Sequence, residues 1–458
     1  MSAEHQASDL LVRADWVLPI DGLPLADGVV RVRGDRIVAI SPALEASREV
    51  GRRVDLGTAA LLPGLVNVHT HLELTLLRGM CESLDFFAWI RNLTRIKYGL
   101  MERDDFALGA RWGLVEALRH GVTTVGDCGD QGVVQAALLE SGLRGVVYHE
   151  VFGPDPSDCD AALARLDEQL QDARRLRASD RVRLGISPHA PYTVSDDLFR
   201  AVVKFAGDEI PLTLHLAESS AESACIRGGQ GPFADFLRGR GIACDPKGLS
   251  PVAYLDELGV LAARPLLVHG CEMDACDVEL VLQAGASVAH CPKSNAKLGH
   301  RRAPLEAWCA SGVRVGLGSD GVVSNNTCDL LEEARCALQL ARLGGGYTNS
   351  SLDAEAALRL ATLGGAEALG LAETVGSITP GKQADLIAID LTGPHMQPLH
   401  DVPAALVFGA RGSDVRWSMV NGKVLLEGGQ VVPFDETALA VEVAARAKRL
   451  GGVSHRSE

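Results

Sequence analysis

Residues 61–71 have the sequence LLPGLVNVHTH, an apolar run that ends in two histidines separated by one residue. A short run of leucine and valine of this kind is typical of a buried β-strand. Side chains two positions apart in a strand point to the same side, so the imidazoles of His69 and His71 can reach one metal ion. A single His-x-His pair is common in proteins, and the rest of the chain decides whether this pair binds a metal.

The same pattern recurs along the middle of the chain. Seven further apolar runs of strand length follow, and helix-patterned stretches such as residues 104–121 and 277–285 lie between most of them. The seven runs are GVTTVGD (121–127), RGVVYHE (144–150), VRLGIS (182–187), PLTLHL (211–216), PLLVHG (265–270), ASVAHC (286–291) and VRVGLGSD (313–320). Eight strands with helical connections match the number and length of a (β/α)8 TIM barrel, and we therefore predict an α/β fold.

Two strand-rich ends flank this predicted barrel. Hairpin turns at Gly34-Asp35 and Asn421-Gly422 separate apolar runs within each end. Neither end is long enough to close a core alone, so we predict that both form one small composite β-sandwich domain. The predicted domains are 1–60 for its N-terminal part, 61–370 for the barrel, and 371–458 for its C-terminal part with a terminal helix.

The composition of the 458 residues excludes several classes of protein. Apolar residues make up 47% and charged residues 22%, which allows a large core and excludes wholesale disorder. The net charge of −15 argues against nucleic acid as a partner, because phosphates are bound by clustered cations. No apolar run reaches the roughly 18–20 residues of a membrane-spanning helix, and we recognise no secretory signal. The eleven cysteines form no CxxC pair, so we expect reduced thiols and a cytoplasmic protein.

Polar residues stand at the carboxyl ends of the predicted strands, which is where barrel enzymes have their catalytic residues. Besides the first strand, the residues concerned are His215 with the nearby Glu218, then His269, His290 and Asp320. One histidine at a strand end is more often structural than a ligand. Four strands that end in histidine and a last strand that ends in aspartate indicate a metal site.

The sequence resembles the amidohydrolase superfamily over essentially its whole length. The motifs that carry the resemblance are PGLVNVHTH (63–71), HLAES (215–219), HCPKSN (290–295), GLGSD (316–320) and GSITPGKQADLIAID (376–390). In that family the corresponding residues bind a divalent metal ion, which here implies the ligands His69, His71, His215 and Asp320. Three imidazoles and one carboxylate suit Zn²⁺, with Fe²⁺ as the alternative.

The resemblance also implies the metal count and the catalytic residues. Binuclear members carry a lysine at the end of the fourth strand, and VRLGISPHAPY (182–192) has none, so we expect one metal ion per chain. Asp320 would accept a proton from the metal-activated water, and His269 would hold and polarise that water. Glu218 would protonate the ring nitrogen beside the attacked carbon. His290 would be a structural residue beside the site.

The motif SPHAPYTVS (187–195) indicates which branch of the superfamily the sequence resembles. It resembles methylthioadenosine/S-adenosylhomocysteine deaminases and their relatives, which include triazine hydrolases and aminodeoxyfutalosine deaminases. This resemblance implies that His189 contacts the substrate; the alternative is that it caps the following helix. Glu73 is expected either to contact the substrate or to pair with Arg78.

The segment 78–103 is expected to form a lid. Its aromatic residues, Trp89 among them, would either stack on a planar heterocycle or only pack the segment against the rest of the protein. Adenosine-type relatives carry a ribose-binding glutamate ten residues after this tryptophan, but Gly99 stands there, so the clamp is absent or comes from another residue such as Glu102. This departure counts against S-adenosylhomocysteine as the substrate. The motifs HTHLEL and FxxWI are closer to the corresponding motifs of aminodeoxyfutalosine deaminases.

The predicted function is hydrolytic deamination of an amino-substituted purine-like heterocycle or nucleoside, with release of ammonia. The alternatives are a triazine-type chlorohydrolase or aminohydrolase and a guanine or pterin deaminase, followed by a non-catalytic scaffold. The expected partner is a small-molecule heterocyclic substrate, with no nucleic acid and no membrane. A homodimer or higher homo-oligomer is expected from the resemblance and from the frequency of two-fold symmetry.

Overall fold

A computed structural model describes residues 9–82, 84–176, 179–343 and 352–454. The strands, β1 to β17 in chain order, are Leu10–Val17, Leu25–Arg33, Arg36–Pro42, Arg52–Asp55, Ala59–Pro63, Leu65–Thr70, Val122–Gly129, Arg144–Val151, Val182–Pro188, Thr213–Leu216, Leu266–His269, Ser287–His290, Arg314–Leu317, Leu386–Asp390, Val415–Val420, Lys423–Glu427 and Gln430–Val431. The α-helices, α1 to α18, are Ala43–Ala46, Phe86–Leu100, Arg103–Arg119, Val134–Ser141, Cys159–Arg175, Asp196–Ala206, Ser220–Gly228, Pro232–Gly239, Pro251–Glu257, Ala275–Ala284, Pro292–Lys297, Leu305–Ser311, Val322–Asn325, Leu330–Arg342, Ala354–Leu360, Leu363–Ala368, Val402–Ala404 and Glu436–Ser454. Short 3-10 turns cover Leu72–Leu77, Pro156–Asp158, Leu261–Ala263, Pro394–Met396 and Gly412–Asp414, and a π-turn covers Ala405–Gly409.

Eight parallel strands form the middle of the molecule, and they are the eight that the sequence predicts. β6 to β9 form one four-stranded sheet in sequence order, and β10 to β13 form a second. A parallel bridge between Ile186 and Leu212 joins the two sheets on one side. On the other side the backbone N–H of Asp320 donates to the carbonyl of His69 at 3.0 Å. The result is a TIM barrel-like α/β fold.

The strands of these sheets are buried on both faces. β6, β7, β8, β10, β11 and β12 contain only buried residues. Helices cover the sheets, which explains why the strands are continuous apolar runs rather than alternating ones. Because the strands are parallel, their carboxyl ends meet on one side of the molecule, where the polar strand-end residues lie.

Both ends of the chain contribute to one nine-stranded sheet. Its order is β17-β16-β15-β14-β5-β1-β2-β3, with β4 paired to β1. The predicted hairpins are confirmed: Gly34 and Asn421-Gly422 form the turns, and all three have positive φ values. The predicted terminal helix is also confirmed as α18. The two-layer sandwich and the three domain boundaries stay predictions.

The helices and the cysteines can be compared with what the composition predicts. No helix in the described ranges combines the length and the apolar character needed to cross a membrane. All eleven cysteines are free thiols in this structure.

Candidate active site

Five side chains from four strand ends converge at the carboxyl side of the parallel sheets. The ligand atoms of His69, His71 and Asp320 all lie within 4.8 Å of one another, and so do those of His69, His215 and His269. Asp320 Oδ1 is 3.3 Å from Nε2 of His69 and 3.6 Å from Nε2 of His71. The structure therefore brings together the four predicted ligands and the predicted water-holding histidine.

Neighbouring acceptors orient three of these imidazoles. The Nδ1 atoms of His71 and His215 lie 2.9 Å and 3.1 Å from the backbone carbonyls of Cys128 and His189. A carbonyl only accepts, so each Nδ1 is assigned the proton, and the lone pair is left on Nε2. Nδ1 of His269 faces Asn295 Oδ1 at 2.8 Å in the same way. Hydrogen bonds of this kind fix the orientation of metal-binding histidines.

The environment of the His69 ring shows whether these residues fit a metal ion. Its side chain is fully buried, and its Nε2 has no hydrogen-bond partner among the described residues. Burial lowers the pKa of His69 well below its ordinary value, which keeps the ring neutral and able to bind a metal. An unpaired buried nitrogen is costly, and a divalent cation held by three imidazoles and a carboxylate would satisfy it.

Asp320 is held in a strained backbone conformation by several donors. Its φ of 57° and the φ of 77° at His269 lie in the left-handed region, which residues with a Cβ rarely adopt outside functional sites. The hydroxyls of Ser294 and Ser324 donate to Oδ2 at 2.7 Å each, and the N–H of Gly321 donates to Oδ1 at 2.7 Å. Burial raises the pKa of Asp320, but the adjacent imidazoles of His69, His269 and His71 outweigh burial and hold that pKa well below the ordinary range.

Glu218 lies just before α7, with its side chain buried beside two imidazoles. Its Oε1 is 3.6 Å from Nε2 of His269 and 3.3 Å from Nε2 of His300. The backbone N–H groups of Ala217 and Glu218 each donate to the carboxylate of Glu222 at 2.8 Å. Glu222 therefore fixes the backbone that carries Glu218, and the side chain is aimed at His269.

A cavity of about 640 Å³ opens above these residues. Its walls are aromatic and come from α2 and α8: Phe86, Phe87, Trp89, Phe233 and Phe236 line it. Tyr192 stacks on Phe233 with ring centroids 4.0 Å apart. Residues 86–100 of the predicted lid segment are thus a helix that forms one wall, and Trp89 lies in that wall.

His189 lines the cavity between two aromatic neighbours. Its ring centroid is 4.7 Å from those of Phe152 and His215. Its Nδ1 lies 2.9 Å from the hydroxyl of Thr193, which itself donates to the carbonyl of Ala190. This position is compatible with contact to a bound ligand.

Glu73 has a different environment from the one expected. It is 1% exposed, it is not among the residues that line the cavity, and its Oε1 is 3.3 Å from Nζ of Lys97. The expected pairing of Glu73 with Arg78 is wrong, because Arg78 forms its ion pair with Glu116. Glu102, the other candidate for the ribose clamp, is exposed at the start of α3 and is not among the residues that line the cavity.

His290 lies beside the site but outside the cavity. It is buried at the end of β12, with its ring edge-on to Trp308 at 5.8 Å between centroids. Burial lowers the pKa of His290 to about 3, so the ring is neutral. This agrees with the structural role that the sequence suggested.

Sequence reasoning missed three residues near the site: His300, Lys97 and Glu150. His300 contacts Glu218, and the other two line the cavity. His300 follows α11 in an irregular segment, and Lys97 lies within a helix, so neither has the strand-end position that singled out the other residues. Glu150 ends the third strand of the barrel-like fold, RGVVYHE, and this position was the available signal.

Known proteins resemble this chain over almost its full length. It is 36% identical over 451 residues to the 5-methylthioadenosine/S-adenosylhomocysteine deaminase of Halobacterium salinarum, covering 97% of this chain and 98% of the relative. It is 33% identical over 445 residues to the Moorella thermoacetica protein of the same name, covering 95% and 98%. Among solved structures, an adenosine deaminase from Xanthomonas campestris with bound zinc has a TM-score of 0.86 and 33% identity, covering 97% of this chain and 99% of that chain.

The family itself follows from the extent of the match. Residues 60–425 match the pattern described as the amidohydrolase family, which is well over half of the chain and includes every side chain of the site. The chain therefore belongs to the amidohydrolase family.

Proposed function

We propose that this protein is an aminohydrolase that deaminates an amino-substituted purine-like nucleoside. The observation that carries the proposal is the convergence of three imidazoles and Asp320, with Glu218 3.6 Å from His269 and an aromatic cavity above them. Relatives more than 30% identical are named as deaminases of adenosine derivatives, which supports the same substrate class. Aromatic walls suit a planar heterocycle.

We assign the metal ligands as His69, His71, His215 and Asp320. One divalent ion per chain, Zn²⁺ in preference to Fe²⁺, would bind there and make water nucleophilic at neutral pH. The zinc in the similar adenosine deaminase structure supports this choice of metal.

The chain's own residues perform the proton transfers. Nε2 of His269 hydrogen-bonds the attacking water, and the carboxylate of Asp320 takes a proton from it. As the water oxygen bonds to the ring carbon that bears the amino group, the carboxylate of Glu218 passes one of the two water protons to the adjacent ring nitrogen. The other proton, taken by Asp320, is delivered to the amino group with the help of Glu218. The carbon–nitrogen bond then breaks, the carbon–oxygen bond becomes a carbonyl, and ammonia leaves.

We also propose a domain organisation, an oligomeric state and a cellular location for the protein. We infer that the two parallel sheets close into one (β/α)8 barrel spanning residues 61–370, with a composite domain from residues 1–60 and 371–458. The bridge at Ile186 and the hydrogen bond from Asp320 to His69 support closure. A homodimer and a cytoplasmic location are retained as predictions from the family and from cysteine usage.

The test is a substrate panel with two readouts. Adenosine, methylthioadenosine, S-adenosylhomocysteine, aminodeoxyfutalosine, guanine, a pterin and a chlorinated triazine would be assayed for ammonia and for chloride release. We expect ammonia from at least one adenine nucleoside. Chloride from the triazine, with no ammonia from the nucleosides, would instead support the chlorohydrolase alternative. No product from any substrate in the metal-loaded protein would contradict the deaminase assignment.

A further inference from the structure

Cys225 and Cys244 form a pair of adjacent thiols behind one wall of the cavity. Their Sγ atoms are 3.5 Å apart, although the two residues are 19 positions apart in the chain. Cys225 lies in α7 and is 1% exposed, whereas Cys244 follows α8 and is partly exposed. The two sulfur atoms are in van der Waals contact, and no step of the proposed chemistry uses either of them.

Hydrogen bonds of the backbone hold the two thiols beside each other. The segment after Cys244 is joined to α7, because the N–H of Lys247 donates to the carbonyl of Ile226 at 2.9 Å. The guanidinium of Arg238, in α8, donates to the carbonyl of Cys244 at 3.3 Å. A disulfide bond is about 2.05 Å long, so the sulfur atoms need to approach each other by roughly 1.5 Å to form one. Because the backbone around both residues is already in place, small adjustments near Cys244 are enough.

The chain between the two cysteines forms part of the cavity wall. It includes α8, and three residues of this helix, Phe233, Phe236 and Leu237, line the cavity. Cys225 belongs to the same buried apolar cluster as Phe233 and Leu237, and Cys244 packs against that cluster. A bond between the two sulfur atoms would therefore close a covalent loop around the helix that forms this wall.

We propose that Cys225 and Cys244 are a reversible redox pair, which a peroxide converts to a disulfide that fixes α8 and the cavity wall to α7. The sulfur of Cys244 attacks one oxygen of hydrogen peroxide, the O–O bond breaks, one water leaves, and Cys244 becomes a sulfenic acid. The sulfur of Cys225 then attacks the sulfur of Cys244, so that an S–S bond forms, the S–O bond breaks, and the thiol proton leaves with the hydroxyl group as a second water. The two sulfur atoms together lose two electrons, and the peroxide gains them.

The environments of the two sulfur atoms determine the order of these steps. Burial and the neighbouring Cys244 raise the pKa of Cys225, so this thiol stays protonated and does not react first with the oxidant. Cys244 is the more exposed of the two and is open to a small oxidant. The contact at 3.5 Å offsets the weak nucleophilicity of Cys225, because a reactant held next to its target reacts as if it were highly concentrated.

The experiment follows the thiols and the wall directly. The zinc-loaded protein would be treated with hydrogen peroxide, alkylated, digested and analysed by mass spectrometry. We expect a disulfide between Cys225 and Cys244 as the main product, recovery of both thiols with a phosphine reductant, and unchanged zinc content, since neither cysteine is a proposed ligand. Oxidation should also slow amide hydrogen exchange in α8 by at least about 10-fold, because a closed loop restricts local opening of the helix.

Cys244→Ser and Cys276→Ser are the matched variants. Cys276 is exposed, so Cys276→Ser removes an accessible thiol but should still form the disulfide and show the slower exchange, whereas Cys244→Ser should show neither. The proposal is overturned if all thiols survive the peroxide, if Cys244 is oxidised without a bond to Cys225, or if either residue pairs with another cysteine instead. A disulfide that leaves the exchange of α8 unchanged would overturn its effect on the cavity wall. No readout uses ammonia release, so the result is independent of the proposed function.

Discussion

The protonation of single side chains determines the chemistry available at this site. Hydrogen bonds from Nδ1 of His71, His215 and His269 leave Nε2 of each ring unprotonated. Glu218 is a buried acid 3.6 Å from Nε2 of His269 that is not itself among the proposed ligands. This separation between metal-binding and proton-transferring groups allows the two roles to be tested independently.

Replacement of Glu218 by Gln should abolish deamination and leave the metal in place. The amide keeps the shape of the carboxylate but cannot transfer a proton, and general acid–base catalysis contributes about 10²–10⁴-fold. Ammonia release and metal content would be measured on the same preparation. Asp320→Asn is the comparison, because it alters a proposed ligand and should lower metal content as well as rate. Residual activity above about a tenth in Glu218→Gln would exclude Glu218 as the proton carrier.

His300 should act as a positioning residue for Glu218. We expect His300→Phe to lower kcat about 10-fold with normal metal content, since an oriented proton donor loses its fixed geometry. Burial raises the pKa of Glu218, but His269 and His300 outweigh burial and lower it overall. Removing His300 should therefore raise that pKa and move the acidic limb of the kcat/KM profile to higher pH. Arg301→Gln, at the exposed neighbouring position, is the control, and an unmoved limb in His300→Phe would argue for a purely structural role.

Among the elements, β8 carries two neighbouring residues, His149 and Glu150, that face different environments. Glu150 faces the cavity, whereas His149 faces away from it and is 2% exposed, with no partner for either ring nitrogen among the described residues. Alternation along the strand explains the difference, because successive side chains point to opposite faces. The covering helices exclude water from His149.

His149 should make the folded protein sensitive to acid. Burial lowers its pKa to about 4 in the folded state, against about 6.5 in the unfolded chain. Below pH 6.5 the unfolded chain binds a proton that the folded protein cannot, so stability is lost as the pH falls from about 6.5 to about 4. We expect His149→Phe to reduce the loss of stability between pH 7 and pH 5 by about 2 kcal/mol, measured as a smaller fall in melting temperature. An equal fall in both proteins would contradict this account.

At the scale of the whole molecule, a buried ion pair joins the two parts of the chain. Arg144 at the start of β8 donates to both oxygens of Asp385 at 2.9 Å and 3.2 Å, and their side chains are 3% and 1% exposed. Asp385 lies immediately before β14 of the nine-stranded sheet, and it also accepts from the N–H of Asn421 at 2.7 Å. The pair therefore fixes the terminal sheet against the parallel strands.

Breaking this pair should destabilise the protein without changing its chemistry. Asp385→Asn leaves the guanidinium of Arg144 buried without a counter-ion, which costs about 3–5 kcal/mol. The melting temperature should fall by several degrees, while kcat at low temperature stays within twofold of the wild type, as about 0.4 kcal/mol would permit. The control is Asp172→Asn, which breaks an exposed pair with Arg175 of the same 2.9 Å length and should change stability by less than about 1 kcal/mol.

The metal content of the whole chain is a separate test. The proposed ligand set is complete once per chain, and the fourth strand has no lysine to support a second ion. We expect close to one transition metal per chain by elemental analysis, and removal by a chelator should lower both activity and melting temperature, because the metal binds only the folded state. Two tightly bound metals per chain in the active protein would contradict the single-ion assignment.

The amino-acid sequence by itself determined the eight strands, the hairpins at Gly34 and Asn421, the terminal helix and the ligand candidates. These features depend on local patterns: apolar runs of fixed length, turn residues that tolerate positive φ, and polar residues at the ends of strands. His69, His71, His215, His269 and Asp320 were recognisable because parallel strands bring their carboxyl ends to one side.

Tertiary structure alone decided the partners of residues that lack such a position. Lys97 and His300 reach the site because α2 and the segment after α11 fold over it, and neither placement follows from spacing along the chain. Glu73 illustrates the limit most clearly: the sequence offered Arg78 as its partner, but packing placed the ammonium of Lys97 at 3.3 Å and turned Arg78 toward Glu116. The choice among equally charged partners depends on which side chains are buried together, because a buried charge left without a partner is strongly unfavourable.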